Sequence, residues 1–222
     1  MKKNIAYTIF GLAIVAVIVF AYMLLTVQDL TRGSMIAKVG VDISAADQED
    51  IEPIPLEIVN QNDARWAMQI MCDDLNLRFM DYGSQIACTA SALRLYDIYL
   101  TPLELYRLFC DKGIYDIEQT SFTARLRFSG AKYEYLPSNF NKVYKSPKLV
   151  HPKVFNTETI LRQLEAGTPV LVRVEGMPIE RYWVAIIGIR NHDFIIMDPL
   201  KTDYSTLTLY DNHIYEILYF EK

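Results

Sequence analysis

The chain has 222 residues, a formal net charge of −5 and three cysteines. Its Lys and Arg are scattered, so it lacks the clustered basic face that nucleic-acid binding requires. Cys72, Cys88 and Cys110 show no Cys-x-x-Cys spacing and no paired His. That excludes the usual zinc patterns, and neither a metal nor a cofactor is expected.

The N-terminus opens with Lys2 and Lys3, and Ile5 to Val27 follows without a charge. A helix of about 20 apolar residues crosses a bilayer core. Residues 1–27 therefore read as a transmembrane anchor, with residues 5–27 in the lipid bilayer. Val19-Phe20-Ala21 offers a cleavage site as the competing reading. However, Tyr22-Met23-Leu24-Leu25 carries the apolar run past it. The lysines ahead of the span place the N-terminus in the cytoplasm and the remainder outside, periplasmic or extracellular. Residues 28–60 read as an extended stalk, acidic at Asp47 to Glu52 and stiffened by Pro53 and Pro55.

Residues 61–222 fit one domain. Asn62 or Asp63 caps a predicted helix through about Leu77. Asp81-Tyr82-Gly83-Ser84 is a turn, followed by a helix over about 87–96. Thr101-Pro102-Leu103-Glu104 supplies an N-cap, a first-turn proline and a capping-box glutamate for a helix over 102–112, ending at Gly113. Further elements are a helix near 120–129, a strand over 132–136, and a helix from Asn156 or Thr157 to Ala166-Gly167. Strands follow at Pro169–Val174, Tyr182–Arg190 and Phe194–Met197, with a turn at Asn191-His192-Asp193 and one or two more strands between Ser205 and Phe220. Helices first and an antiparallel sheet second make the fold class α+β.

Four stretches resemble one family. Tyr82-Gly83-Ser84-Gln85-Ile86-Ala87-Cys88-Thr89-Ala90-Ser91-Ala92-Leu93 is similar to the nucleophile segment of the double-glycine-leader (bacteriocin-processing) peptidases, which are papain-fold cysteine peptidases. Thr101-Pro102-Leu103-Glu104-Leu105 resembles the start of that family's next helix. Leu164 to Val172 resembles its approach to the sheet, and Trp183 to Gly188 with Ile196-Met197-Asp198-Pro199 its closing strands. The likeness spans about residues 62–210.

The resemblance implies a papain-like fold with Cys88 as nucleophile and Asp198 as the residue that orients the base. It also implies an oxyanion role for Gln85, either vestigial or real, although Gln85 lies only three residues before Cys88. A helix N-terminus would lower the pKa of Cys88. The departure is at the base: Tyr182 stands where the family has His, and Arg181 precedes it. His151, His192 and His213 are the chain's other imidazoles. A phenol of ordinary pKa, about 10, is a poor base, and loss of general acid–base catalysis removes about 10²–10⁴ of rate.

The expected function is a membrane-anchored, extracytoplasmic, catalytically deficient peptidase-like module that binds a peptide or an envelope or membrane protein. The alternatives are an active cysteine peptidase with a non-standard base and a structural subunit of an envelope assembly. Locally, Cys88 in an Ala/Ser/Thr-rich run also reads as a small core residue. Cys72 and Cys110 read as core packing or as a disulfide.

Overall fold

A computed structural model describes residues 39–41, 43, 48–71, 74–111, 141, 147–175 and 182–221. They belong to one compact unit that begins at Lys38. The expected anchor at 1–27, the helix near 120–129, the strand at 132–136, and Cys72, Gly113 and Arg181 lie outside the described residues. Among the described residues, no helix is long and apolar enough to cross a membrane.

In chain order the elements are β1 (Val39–Gly40), β2 (Ile70–Met71), β3 (Asp74–Arg78), α1 (Phe79–Tyr82), α2 (Ser84–Leu93) and α3 (Pro102–Asp111). Next come β4 (Lys148–Val150), α4 (Thr157–Glu165), β5 (Val170–Val174), β6 (Tyr182–Arg190) and β7 (Asp193–Met197). The last are β8 (Ser205–Thr206), β9 (His213–Ile214) and β10 (Glu216–Glu221). Six strands form one sheet in the order β4-β10-β5-β6-β7-β8, antiparallel throughout. The expected α+β class is therefore observed, with α1, α2 and α3 ahead of the main sheet.

The caps read from sequence are present. Glu104 accepts hydrogen bonds from the Thr101 N–H and hydroxyl, and Thr101 Oγ1 accepts from the Glu104 N–H. Asn156 caps α4 by accepting from the Thr159 N–H at 2.9 Å. Gly167 ends that helix at φ 71, a conformation that disfavours side chains. The β6–β7 turn places Asn191 and His192 at φ 52 and 60, the two left-handed residues of a tight hairpin.

Two expectations are corrected. The helix expected through Leu77 stops after a single turn. Asp63 caps that turn, accepting from the Arg65 N–H through its side chain and from the Trp66 and Ala67 N–H groups through its carbonyl. The chain then pairs with residues far along it: Phe79 N–H donates to the Gln69 carbonyl and Met80 N–H to that of Ala67. Ile70–Met71 and Asp74–Arg78 become a small antiparallel hairpin. Tertiary pairing here outweighs local helix propensity.

The stalk is the second correction. Val41, Ile43, Ile54, Leu56 and Val59 are buried in the core; β1 pairs with β9, Val41 N–H donates to the Asn212 carbonyl, and residues 51–54 complete the main sheet. β6 has nine residues, but β5 pairs with it only up to Ile186. Ile51 takes over opposite Ile189 with reciprocal bonds of 3.0 and 2.8 Å, and Ile54 N–H donates to the Ile187 carbonyl at 2.8 Å. An unpaired strand edge inside a core is costly, and this segment removes it.

Gly188 permits the crossing. A Cβ there would lie 2.6 Å from the Ile51 carbonyl oxygen and 3.0 Å from Pro53 Cα, both backbone atoms. Gly188→Ala should destabilise the protein by about 1–3 kcal/mol, the usual cost of overpacking. Gly40→Ala, whose Cβ meets nothing within 4 Å, should stay within about 0.5 kcal/mol of wild type. Urea unfolding of both variants checks the pair, and equal midpoints would refute the crossing as the reason for Gly188.

Candidate active site

α2 is made mostly of small residues, and all ten are buried. Full burial of Ile86 and Leu93 contributes about 1.5–3 kcal/mol each. Gly83 precedes the helix where a Cβ would lie 2.6 Å from the Phe79 ring and carbonyl. Its N–H donates to that carbonyl at 2.7 Å, closing α1 onto the start of α2.

Cys88 is the fifth residue of α2, one turn beyond its N-terminus. The macrodipole acts mainly on the first turn, so the expected activation by the helix end does not reach it. The thiol is fully buried, and Cys88 Sγ donates to the Trp183 carbonyl at 3.4 Å. One turn earlier, Ser84 Oγ accepts from the Trp183 N–H at 3.2 Å. β7 pairs with β6 only as far as Ala185. Ser84 and Cys88, four residues apart on one helix face, thus take both backbone groups of Trp183 where the neighbouring strand has ended. Burial pushes the thiol pKa well up, and the Asp198 carboxylate pushes it further.

Tyr182 opens β6 and Asp198 follows β7; both are buried. Tyr182 Oη donates to Asp198 Oδ1 at 2.5 Å. Asp198 Oδ1 also accepts from the Leu200 N–H at 2.9 Å, and Oδ2 accepts from Tyr210 Oη at 3.0 Å. Lys201 Nζ lies 3.9 Å from Oδ2. The Tyr182 and Tyr210 rings sit 6.0 Å apart. Burial first, then the Asp198 charge, drives both phenol pKa values upward. The phenols are therefore hydrogen-bond donors, not bases. Cys88, Tyr182 and Tyr210 all feel the charge of the Asp198 carboxylate, so the four residues form one electrostatic cluster.

Gln85 is buried one turn before Thr89, whose hydroxyl donates to the Gln85 carbonyl at 2.7 Å. The histidines lie elsewhere. His192 is in the hairpin turn at the opposite end of β6 from Tyr182, and His213 is in β9 opposite Gly40. His151 approaches Glu216 at 3.7 Å, and Glu216 in turn holds Arg173 at 2.8 Å. The charge acting on the Cys88 thiol is the carboxylate of Asp198, not an imidazole.

The sequence reading missed Tyr210, Ser84 and Gln61. Gln61 is fully buried; its Nε2 donates to the Phe79 and Met80 carbonyls, and its N–H to the Pro199 carbonyl at 2.7 Å. It ties the approach to α2 to the loop after Asp198. Only Ser84 had a readable signal, its four-residue spacing to Cys88.

No family model matches the chain, and no curated protein matches it. Among solved structures the chain is similar to a Bacillus anthracis protein provisionally described as a C39-like peptidase. Sequence identity is 14%, the TM-score is 0.52, and the match covers 79% of this chain and 98% of that one. At that identity the likeness shows the fold: the domain has the C39-like peptidase fold.

Two outcomes follow from the buried cluster. Thiol reagents should label native Cys88 at least about 10³-fold more slowly than an unfolded thiol, since labelling must await opening. Comparison with Cys88→Ser isolates this site, and fast native labelling lost in that variant would refute the burial. The second outcome concerns alkali. Above about pH 8.5 the unfolded thiol releases its proton while the folded one keeps it. Cys88 should therefore cost up to about 1.4 kcal/mol of stability per pH unit above that point. Cys88→Ser should flatten the fall in unfolding free energy between about pH 8.5 and 10.

Proposed function

We propose that this chain is a membrane-anchored, extracytoplasmic relative of the double-glycine-leader peptidases that has lost catalysis and serves as a binding module. In this reading residues 5–27 hold it to the bilayer. Tyr182 occupies the position of the base, Asp198 the orienting position and Cys88 the nucleophile position. Gln85 is the remnant of an oxyanion donor. The partner is a peptide or an envelope protein.

One observation carries the proposal: the Cys88 thiol is buried with its hydrogen on the Trp183 carbonyl. Acyl transfer by cysteine needs a thiolate, a base to form it and an acid to protonate the leaving amine. Here the thiol pKa is raised, and its neighbours are a carboxylate and two phenols whose protons are committed to that carboxylate. Asp198 orients phenols in place of an imidazole. The charge-free run from Ile5 to Val27 behind Lys2 and Lys3 supports the anchor and its direction.

The purified full-length protein should cleave no member of a peptide mixture in a Cys88-dependent way, read by mass spectrometry. Turnover that Cys88→Ser abolishes would establish the active peptidase instead. In membranes, the chain should resist alkaline carbonate extraction and be digested by protease added to the extracytoplasmic side. Release into the carbonate supernatant would overturn the anchor without touching the reading of the site.

A further inference from the structure

The segment that brings Tyr210 to the Cys88 cluster is weakly held. Of residues 200–212, only Leu207 is buried. Leu200, Tyr204 and Leu209 are apolar yet exposed, so their burial contributes little. β8 joins the edge of the main sheet through Ser205 and Thr206 alone, opposite Ile196 and Ile195. Ser205 Oγ is buried there without a hydrogen-bond partner among the described residues, which costs the closed arrangement. The single-turn 3-10 helix Leu207–Tyr210 follows and packs on β7. Regions with few buried apolar contacts open at a lower free energy than the whole fold.

The ends of the segment, by contrast, are fixed. At its start, the Leu200 N–H donates to Asp198 Oδ1 and the Lys201 N–H to the Asp198 carbonyl, both at 2.9 Å. At its end, the Asn212 carbonyl accepts from the Val41 N–H at 2.9 Å. Asp211 and Asn212 there have φ 53 and 52, two successive left-handed residues that turn the chain sharply. Between these ends, side-chain hydroxyls tie the segment down. Tyr204 Oη donates to the Leu56 carbonyl at 3.2 Å, and Thr208 Oγ1 donates to Asp193 Oδ2 at 3.0 Å. Tyr210 Oη donates to Asp198 Oδ2 at 3.0 Å, with its ring 6.0 Å from that of Tyr182.

We propose that residues 202–210 form a flap that gates the Cys88 cluster, with Tyr210 as its latch. Swinging the flap out withdraws the Tyr210 phenol from Asp198. That opens a path to the carboxylate, to Tyr182 and to the thiol behind them, while α2, β6 and β7 stay folded. The fixed turns at Asp198–Lys201 and Asp211–Asn212 serve as hinges, because element-terminal residues absorb such changes. The inference concerns access to the cluster. It holds whether the cluster binds or cleaves, and turnover and labelling test the two readings separately.

Iodoacetamide labelling of the full-length protein, read on the Cys88 peptide by mass spectrometry, tests it. The labelling rate should stay flat in urea well below the unfolding midpoint, because local opening exposes little surface. Tyr210→Phe removes the latch bond and should speed labelling about tenfold or more, the loss expected for a hydrogen bond to a charged group. Thr208→Ala frees the flap without touching the cluster and should speed labelling several-fold. It also keeps the test available should Tyr210→Phe fail to fold. Gly188→Ala weakens the fold at the other end of β6 and should change the rate less than about threefold. A rate that climbs with urea as steeply as global unfolding would overturn the proposal. So would wild-type labelling in both flap variants, or acceleration in Gly188→Ala that matches its loss of stability.

Discussion

The structure depends on completing a strand that is longer than its neighbours. β6 runs nine residues, yet β5 leaves it at Ile186 and β7 leaves it at Ala185, from opposite ends. Backbone N–H and C=O groups exposed there would be buried without partners, at a cost of roughly 1–3 kcal/mol each. At one end Ile51 and Ile54 supply the missing ladder. At the other, Ser84 and Cys88 of α2 supply an acceptor and a donor to Trp183. The first solution draws residues 51–60 onto the domain. The second fixes how deeply α2 sits and commits the cysteine thiol to a structural bond.

That commitment bears on chemistry. In a cysteine peptidase the thiol is ionised beside an imidazole, and a carboxylate or amide aims the imidazole. In this domain the carboxylate of Asp198 is buried and holds two phenols and a backbone N–H. Tyr182, Tyr210 and the Leu200 N–H supply that buried carboxylate with hydrogen-bond donors. The same negative charge raises the pKa of the nearby thiol, opposite to the effect an imidazolium would have. A phenol held by that carboxylate supplies no positive charge to the sulfur.

Local signals in the sequence were accurate where a few adjacent residues decide the outcome. Thr101 with Glu104 capped α3, Asn156 capped α4, Gly167 terminated it and Asn191 marked the hairpin. Each works through bonds or dihedral limits within about one turn of chain, so no distant residue can override it. The readings that failed were those in which distant backbone competed. Asp63 did start a helical turn, but Gln61, Ala67 and Gln69 found partners at Phe79 and Met80. Pro53 and Pro55 did keep their segment extended, but extended chain beside an open edge becomes part of a sheet.

The α+β order, the helix caps, the turn chemistry and the residue types at 88, 182 and 198 are legible in the amino-acid chain, because these follow from composition, periodicity and short-range bonding. Three-dimensional packing was needed to place Cys88 one turn inside its helix with its proton on Trp183, to join Tyr210 to Tyr182 on Asp198, and to bury Ile54, Leu56 and Val59 in the core. Those facts depend on which strand ends leave backbone groups open. Strand pairing joins residues scores of positions apart, and no local pattern records where one strand stops beside another.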